Sequence, residues 1–291
     1  MRELNNFTFG NAFKYSGILV VMLFLVLTTP TTAQHIRKDL PKNAFPKNNV
    51  TSFHRRSVNS EEGPWRSIGR VNVGGRAHCT GTLIAENIVL TAAHCMFSKS
   101  QRKMVVPGII HFVAGYSKGE YQGHSKVERY IYGTRFKGEA GATRNNLPHD
   151  WALLVLEKPL GAELGFLSMP DPAADNTTED DEAQTAPRTF NALINKKITT
   201  AGYPGDRAHV LSLEENCNIK ATANKGHILF TTCIAIKGDS GGPILRKQEN
   251  VWTVIGIQTA AAKLEGKVSG IGLSTLAYND RLTTVIDSPA P

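Results

Sequence analysis

The sequence predicts an all-β protein built in two halves, six strands to each, arranged as β-barrels or sandwiches. Three observations carry this. First, the chain from Trp65 onward breaks into short β-branched and apolar runs punctuated by glycine and polar residues, such as IGRVNV, CTGTLI and NIVLTAA. Second, an acidic, proline-bearing stretch, DPAADNTTEDDEAQTAP at 171–187, divides those runs into two sets. Third, no helical pattern of useful length lies between strands, which disfavours a βαβ layout.

The N-terminus reads differently. Arg2 and Lys14 precede an apolar run from Ile18 to Leu27, and small residues follow up to Ala33. That is the pattern of a secretory signal over residues 1–33. Its apolar core is short for a bilayer span, which takes about 20 residues. No second candidate span follows, so the expectation is a secreted or periplasmic protein with no stable membrane insertion after signal removal. Residues 34–56 are basic, aperiodic and hold two prolines, and read as a pro-segment or flexible lead. Arg55-Arg56 is the expected processing point, and two other Arg or Lys residues nearby could serve as well. The globular domain then covers 57–291.

Within it, the first set of strands falls at about 60–160 and continues with VVPGIIHFVAGY, RYIYG and WALLVLE. An acidic linker is expected over about 161–190. The second set, about 191–275, comprises KITTAGYP, CNIKATAN, HILFTTC, GPILRK, VWTVIGIQTAAA and VSGIGLS. A C-terminal helix is expected at about 276–286. The chain is 41% hydrophobic and 20% charged, an ordinary globular composition. Its net charge of +8 falls to +7 without residues 1–33. The basic residues are scattered, densest at Arg55-Arg56 and Lys196-Lys197, and lack the aromatic-interleaved clustering of a nucleic-acid groove. No nucleic-acid partner is expected. Asn49-Val-Thr and Asn176-Thr-Thr match a glycosylation sequon, which has meaning only in a eukaryotic host.

The four cysteines, Cys79, Cys95, Cys217 and Cys233, form two local couples, each 16 positions apart. In an exported chain they are expected as disulfides, most simply Cys79–Cys95 and Cys217–Cys233 among the three pairings available. No CxxC pair is present, and no metal site or cofactor is expected.

Three stretches carry chemistry. LTAAHC holds His94, LPHDWALLVLE holds Asp150, and AIKGDSGGPIL holds Ser240 among three glycines. Singly, each has a structural explanation: a histidine beside a cysteine, a turn aspartate, a glycine turn. Together they offer a nucleophile, a base and a carboxylate to orient the base. A serine hydroxyl needs that base, and the base needs a partner that holds the right tautomer. The glycines supply backbone freedom at a loop that another molecule approaches closely.

With TAAHC at 91–95, DWALL at 150–154 and GDSGGP at 238–243, the sequence resembles the chymotrypsin-like, trypsin-fold serine proteases over about residues 60–287. The phrases PWRSIGRV, CTGTLIAENIVLTAAHC and HDWALLVLEKPLG look closer to the bacterial, glutamyl-endopeptidase-like branch. The absence of cysteines for two further animal-type disulfides points the same way. The resemblance implies two six-stranded antiparallel β-barrels of the chymotrypsin type with a C-terminal helix. It implies a secreted serine endopeptidase acting on polypeptides through an acyl-enzyme, with protein inhibitors as a further class of partner. A serine esterase or amidase, and a non-catalytic binding protein on the same fold, are the alternatives.

The same resemblance implies roles. Ser240 attacks the scissile carbonyl, His94 moves the proton, Asp150 orients His94, and the amides of Gly238 and Ser240 form an oxyanion hole. Ile234 and Ala235 fall near the floor of the specificity pocket, where trypsin-like members carry an acidic residue. Gln258 stands where glutamate-specific members carry histidine. Thr259 and Ala260 line the edge to which an extended peptide adds as a strand, and Gly270 lines the opposite wall. An uncharged pocket is expected, with acceptance of Glu or Gln as the second expectation. Animal members are activated by a cut whose new amine pairs with the aspartate preceding the serine. Here that aspartate is Asp239, and a cut near Arg56 that leaves Ser57 or a neighbour first suits the spacing.

Overall fold

Branched and apolar residues fill the strand runs so densely that several strands are enclosed over their whole length. Ile88–Thr91 and Ala152–Leu156 are buried at every position. A strand with both faces covered loses the usual in–out alternation, and closure of the sheet on itself provides that cover. The computed structural model describes residues 54–75, 77–170, 190–264 and 267–286.

In chain order the strands are β1 (Arg56–Ser57), β2 (Ile68–Val73), β3 (Ala77–Leu83), β4 (Ile88–Thr91), β5 (Phe97–Ser98), β6 (Lys103–Met104), β7 (Ile110–Ala114), β8 (Gly123–Tyr132) and β9 (Ala152–Leu156). The short helix α1 (Leu160–Leu164) follows. The second half holds β10 (Lys197–Gly202), β11 (Ser212–Ala223), β12 (Ile228–Thr231), β13 (Pro243–Gln248), β14 (Val251–Leu264), β15 (Lys267–Ser274) and α2 (Asn279–Ile286).

The first barrel closes in the order β2-β3-β4-β9-β8-β7, all pairings antiparallel. Val71, Leu83, Val89, Phe112, Val127 and Leu154 fill it. The second runs β11-β10-β13-β14-β15-β12 and closes through β11–β12. Ile198, Ile219, Leu229, Ile244 and Ile255 lie in its core. A third, larger cluster joins the barrels, with Ile68, Leu90 and Leu153 on one side and Tyr203, Leu213 and Leu245 on the other. The fold is therefore the two-barrel, chymotrypsin-type arrangement that the resemblance implies.

Three differences have physical reasons. The expected linker begins later than residue 161, because α1 packs on the first barrel and Ser168 bridges Thr253 of β14. Helix α2 starts at Asn279 rather than 276, after a 3-10 turn over Thr275–Ala277. The expected flexible lead ends before Arg55, which is buried, and Arg56–Ser57 pair with Leu213 and Ser212 of β11. The secretory signal, residues 34–53 of the lead, the acidic stretch 171–187 and both sequons lie outside the described residues. Among the described residues no helix is long and apolar enough to cross a membrane.

Candidate active site

β4 ends at Thr91, and a 3-10 turn over Ala93–Met96 follows, carrying His94. A second such turn, Leu147–His149, precedes Asp150 just before β9. Because β4 and β9 are neighbours with Thr91 opposite Ala152, the two turns emerge side by side at one end of the barrel. The Asp150 carboxylate, buried, accepts two hydrogen bonds from one residue. The His94 ring nitrogen Nδ1 lies 2.8 Å from Oδ2, and the His94 backbone N–H donates to Oδ1 at 2.8 Å. An ionised carboxylate only accepts, so Nδ1 carries the hydrogen and a neutral ring keeps its lone pair on Nε2. The imidazole is thereby fixed in tautomer and orientation, with Nε2 available as a base.

Ser240 comes from the second barrel, on the loop between β12 and β13. Thr80 of β3, fully buried, ties that loop to the first barrel. Its N–H donates to the Ser240 carbonyl at 2.9 Å, and its hydroxyl donates to the Gly238 carbonyl at 2.8 Å. The same hydroxyl oxygen accepts the Tyr203 N–H at 3.0 Å. Gly238 has φ +102°, and a Cβ there would run into the Tyr203 carbonyl. Gly241, φ +78°, sits so close against Thr91 and Thr80 that it too excludes a side chain. Within the loop the Asp239 N–H donates to Ile236, that of Gly241 to Gln258 and that of Gly242 to Asp239. The N–H groups of Gly238 and Ser240 have no acceptor among the described residues. Two amides spaced by one residue are thus left to donate elsewhere.

Of the sequence-predicted residues, His94 and Asp150 meet directly. Ser240 reaches the same region through its backbone: the Cys95 sulfur, one residue from His94, lies 3.9 Å from the Ser240 carbonyl oxygen. No hydrogen bond joins the Ser240 hydroxyl to His94. Such bonds are often long without substrate and tighten when it binds. Both expected disulfides are formed, Cys79–Cys95 and Cys217–Cys233. The grouping of Cys79, Cys95 and His94 offers no metal thiolates, since its two sulfurs are bonded to each other.

The pocket residues also gather. Gln258 pairs with Gly272, Ala260 with Ile271 and Ala261 with Gly270, and a bulge at Thr259 re-aims the strand between them. A Cβ on Gly270 would stand 3.5 Å from that of Ala235 and 3.0 Å from the Cys233 carbonyl, so these two walls nearly touch. The Ile234 N–H donates to Glu214 at 3.0 Å. Gln258 is 2% exposed, and both atoms of its side-chain amide lack a partner.

Sequence reasoning missed Thr80, Arg55 and Glu214. A threonine inside CTGTLI looks like any β-former, and Glu214 sits in a run, SLEEN, that reads as polar. Arg55 donates from Nη1 and Nη2 to Asp239 at 2.9 and 3.0 Å and from Nε to Glu214 at 3.2 Å. Burial pushes the Asp239 carboxyl up from its ordinary value, against the pull of this guanidinium. His78, whose Nε2–H donates to the Tyr203 carbonyl at 2.8 Å beside Gly238, is held below the ordinary histidine value by burial.

Comparison with known proteins bears on the family and the fold. The trypsin family model matches residues 55–280. A glutamyl endopeptidase of Bacillus licheniformis is 22% identical over 74% of this chain and 60% of its own length. The CLIP domain-containing serine protease B15 of Anopheles gambiae is 24% identical over 77% of this chain and 66% of its own. The chain thus spans about two thirds or less of the length of these relatives. A solved structure of a Glu endopeptidase in complex with MPD superposes with a TM-score of 0.61 at 21% identity, covering 80% of this chain and 97% of that one. The chain belongs to the trypsin family of chymotrypsin-like serine proteases.

Proposed function

We propose that this chain is an exported serine endopeptidase that cleaves polypeptides through an acyl-enzyme on Ser240. The observation that carries the reading is the double hydrogen bond of Asp150 to His94, which leaves Nε2 as the only ring nitrogen able to accept a proton. In the reaction Ser240 attacks the scissile carbonyl while Nε2 takes its proton. His94 then protonates the departing amine, and Asp150 stabilises the imidazolium formed in between. The carbonyl oxygen, now negative, is held by the unclaimed amides of Gly238 and Ser240. Each such donor contributes about 3–4 kcal/mol in the transition state. Water, activated by His94 in turn, releases the acyl group and regenerates the serine.

The residue on the acyl side of the scissile bond enters beside the closely packed Ala235 and Gly270, along the edge that carries Gln258. A buried amide with neither donor nor acceptor satisfied costs about 1–3 kcal/mol, which a substrate side chain able to pair with it recovers. Gln and Glu have that chemistry, and the relation to glutamyl endopeptidases favours the same choice. The test is labelling of Ser240 by a fluorophosphonate probe together with casein degradation. Both are expected to vanish in Ser240→Ala, and peptide-library cleavage is expected to favour Gln or Glu before the cut. Gln258→Leu should erase that preference while leaving the probe reaction intact. Short-ester turnover with no casein cleavage would shift the reading to an esterase. An unlabelled Ser240 would remove it.

A further inference from the structure

Among the described residues, the most deeply buried cluster of charge outside the triad adjoins Ser240 through Asp239. The Arg55 side chain is 1% exposed and that of Asp239 is 0% exposed. The guanidinium grips Asp239 with two parallel N–H bonds and adds a third to Glu214. It also donates to the Ile234 carbonyl. The two carboxylates carry the grip onward: Asp239 Oδ2 accepts the Ile236 N–H at 2.9 Å, and Glu214 Oε2 accepts the Ile234 N–H at 3.0 Å. One arginine therefore holds both ends of the segment 234–239, which is the floor of the pocket and the turn that aims the Gly238 and Ser240 amides. Its own backbone is pinned in place. The Arg55 carbonyl accepts Arg207 Nη1 at 2.9 Å, and the next two residues form β1 on β11. Burying a cation with two carboxylates is rarely a gain in stability over apolar packing, but removing one partner leaves an uncompensated charge. That balance suits a device for fixing one loop geometry.

Resting on the reading of Ser240 as the nucleophile, we propose that Arg55 is a positioning residue for the oxyanion loop. The cut that matures the chain then falls before Arg55, so Arg55-Arg56 is a retained part of the enzyme and not its processing point. The side chain of Arg55 occupies the place at Asp239 that a new amine was expected to take. A cut after Arg56 would carry the guanidinium away with the lead. Asp239 would then lose its partner, and the turn that presents the Gly238 amide would lose its anchor.

The test uses the full-length chain, exported and processed by its host, with the N-terminus sequenced and Ser240 labelling rates measured. The mature material is expected to begin at or before Arg55. Arg55→Ala is expected to slow labelling about 100-fold, on the scale of a misplaced oxyanion donor, and to lower kcat far more than it raises KM. Added ethylguanidinium should restore part of the rate, a rescue that a merely structural role would not give. If Arg55→Ala does not fold, Arg55→Lys decides, since it keeps the charge but loses the fork. A reduced kcat at an unchanged unfolding temperature supports the proposal, and an unchanged kcat overturns it. Active material beginning at Ser57, or a folded Arg55→Ala labelled within about threefold of wild type, also overturns it. Those outcomes leave the catalytic reading standing, because the wild type is labelled in each. An unlabelled wild type removes both.

Discussion

Asp150 shows how much one carboxylate does when both of its oxygens serve the same neighbour. One oxygen fixes where the His94 backbone turns, and the other fixes which ring nitrogen holds the hydrogen. An amide in its place would offer one acceptor and one donor. In Asp150→Asn the NH2 group faces either the His94 N–H or the ring, and where it faces the ring, Nε2 is driven to carry the hydrogen and stops being a base. We expect a fall in kcat of about 10⁴, with little change in unfolding temperature. Rate recovery at alkaline pH, where hydroxide can replace the lost base, would separate a wrong tautomer from a collapsed site. A fall of less than tenfold would mean that His94 is oriented by something other than Asp150.

At the scale of elements, the site is a contact between two loops braced from behind by covalent links. Cys79 lies on β3 and Cys95 on the His94 turn, so the first disulfide ties the base to the strand that also carries Thr80. Opening a loop of this length is worth roughly 3 kcal/mol in the chain-entropy model. Cys79→Ser with Cys95→Ser is expected to lower the unfolding temperature by roughly 6–12 °C for a domain of this size, measured by calorimetry. A shift below about 2 °C would mean that packing alone holds the His94 turn. The strand runs were legible because their residues are apolar on both faces, as in β4 and β9. So were the turns around His94 and Ser240, where cysteine and glycine mark positions with special constraints. The start of β11 was not, because Glu214 reads as a solvent residue until the arginine that buries it is known. Arg55 was hidden for the same reason. Its partners are 159 and 184 positions away, and its neighbours are those of a polar lead.

The whole molecule carries nine histidines in 291 residues, and four of them, His78, His124, His149 and His227, are held below the ordinary histidine value. Burial is the leading cause in each. Neighbouring cations add to it: Arg70 and Lys237 at His78, Lys158 and Lys126 at His124, and Arg135 at His149. At His227 Asp280 pulls the other way without reversing the direction. The folded state therefore refuses protons that the unfolded chain accepts. Above the ordinary histidine value of 6.5 all four are neutral in both states, and their contribution is fully present. As pH falls below that value the unfolded chain gains protons first, and stability is lost until the folded histidines titrate too. Asp239, pushed up by its own burial, acts in the opposite sense. The shifted carboxylates Glu139 and Glu215 start from 4.5 and are held lower, so their share is lost in a more acid range. We expect the unfolding temperature to fall between about pH 7.5 and pH 5, and His78→Gln to flatten that fall. A curve that is level or rising toward pH 5 would mean that these rings stay reachable by solvent in the folded protein. His78 is the informative one, because its ring borders both Tyr203 and Gly238. Its protonation in the folded state, below the ordinary histidine value, places a charge next to the oxyanion loop, so activity should fall at a more acid pH than the one at which stability begins to drop.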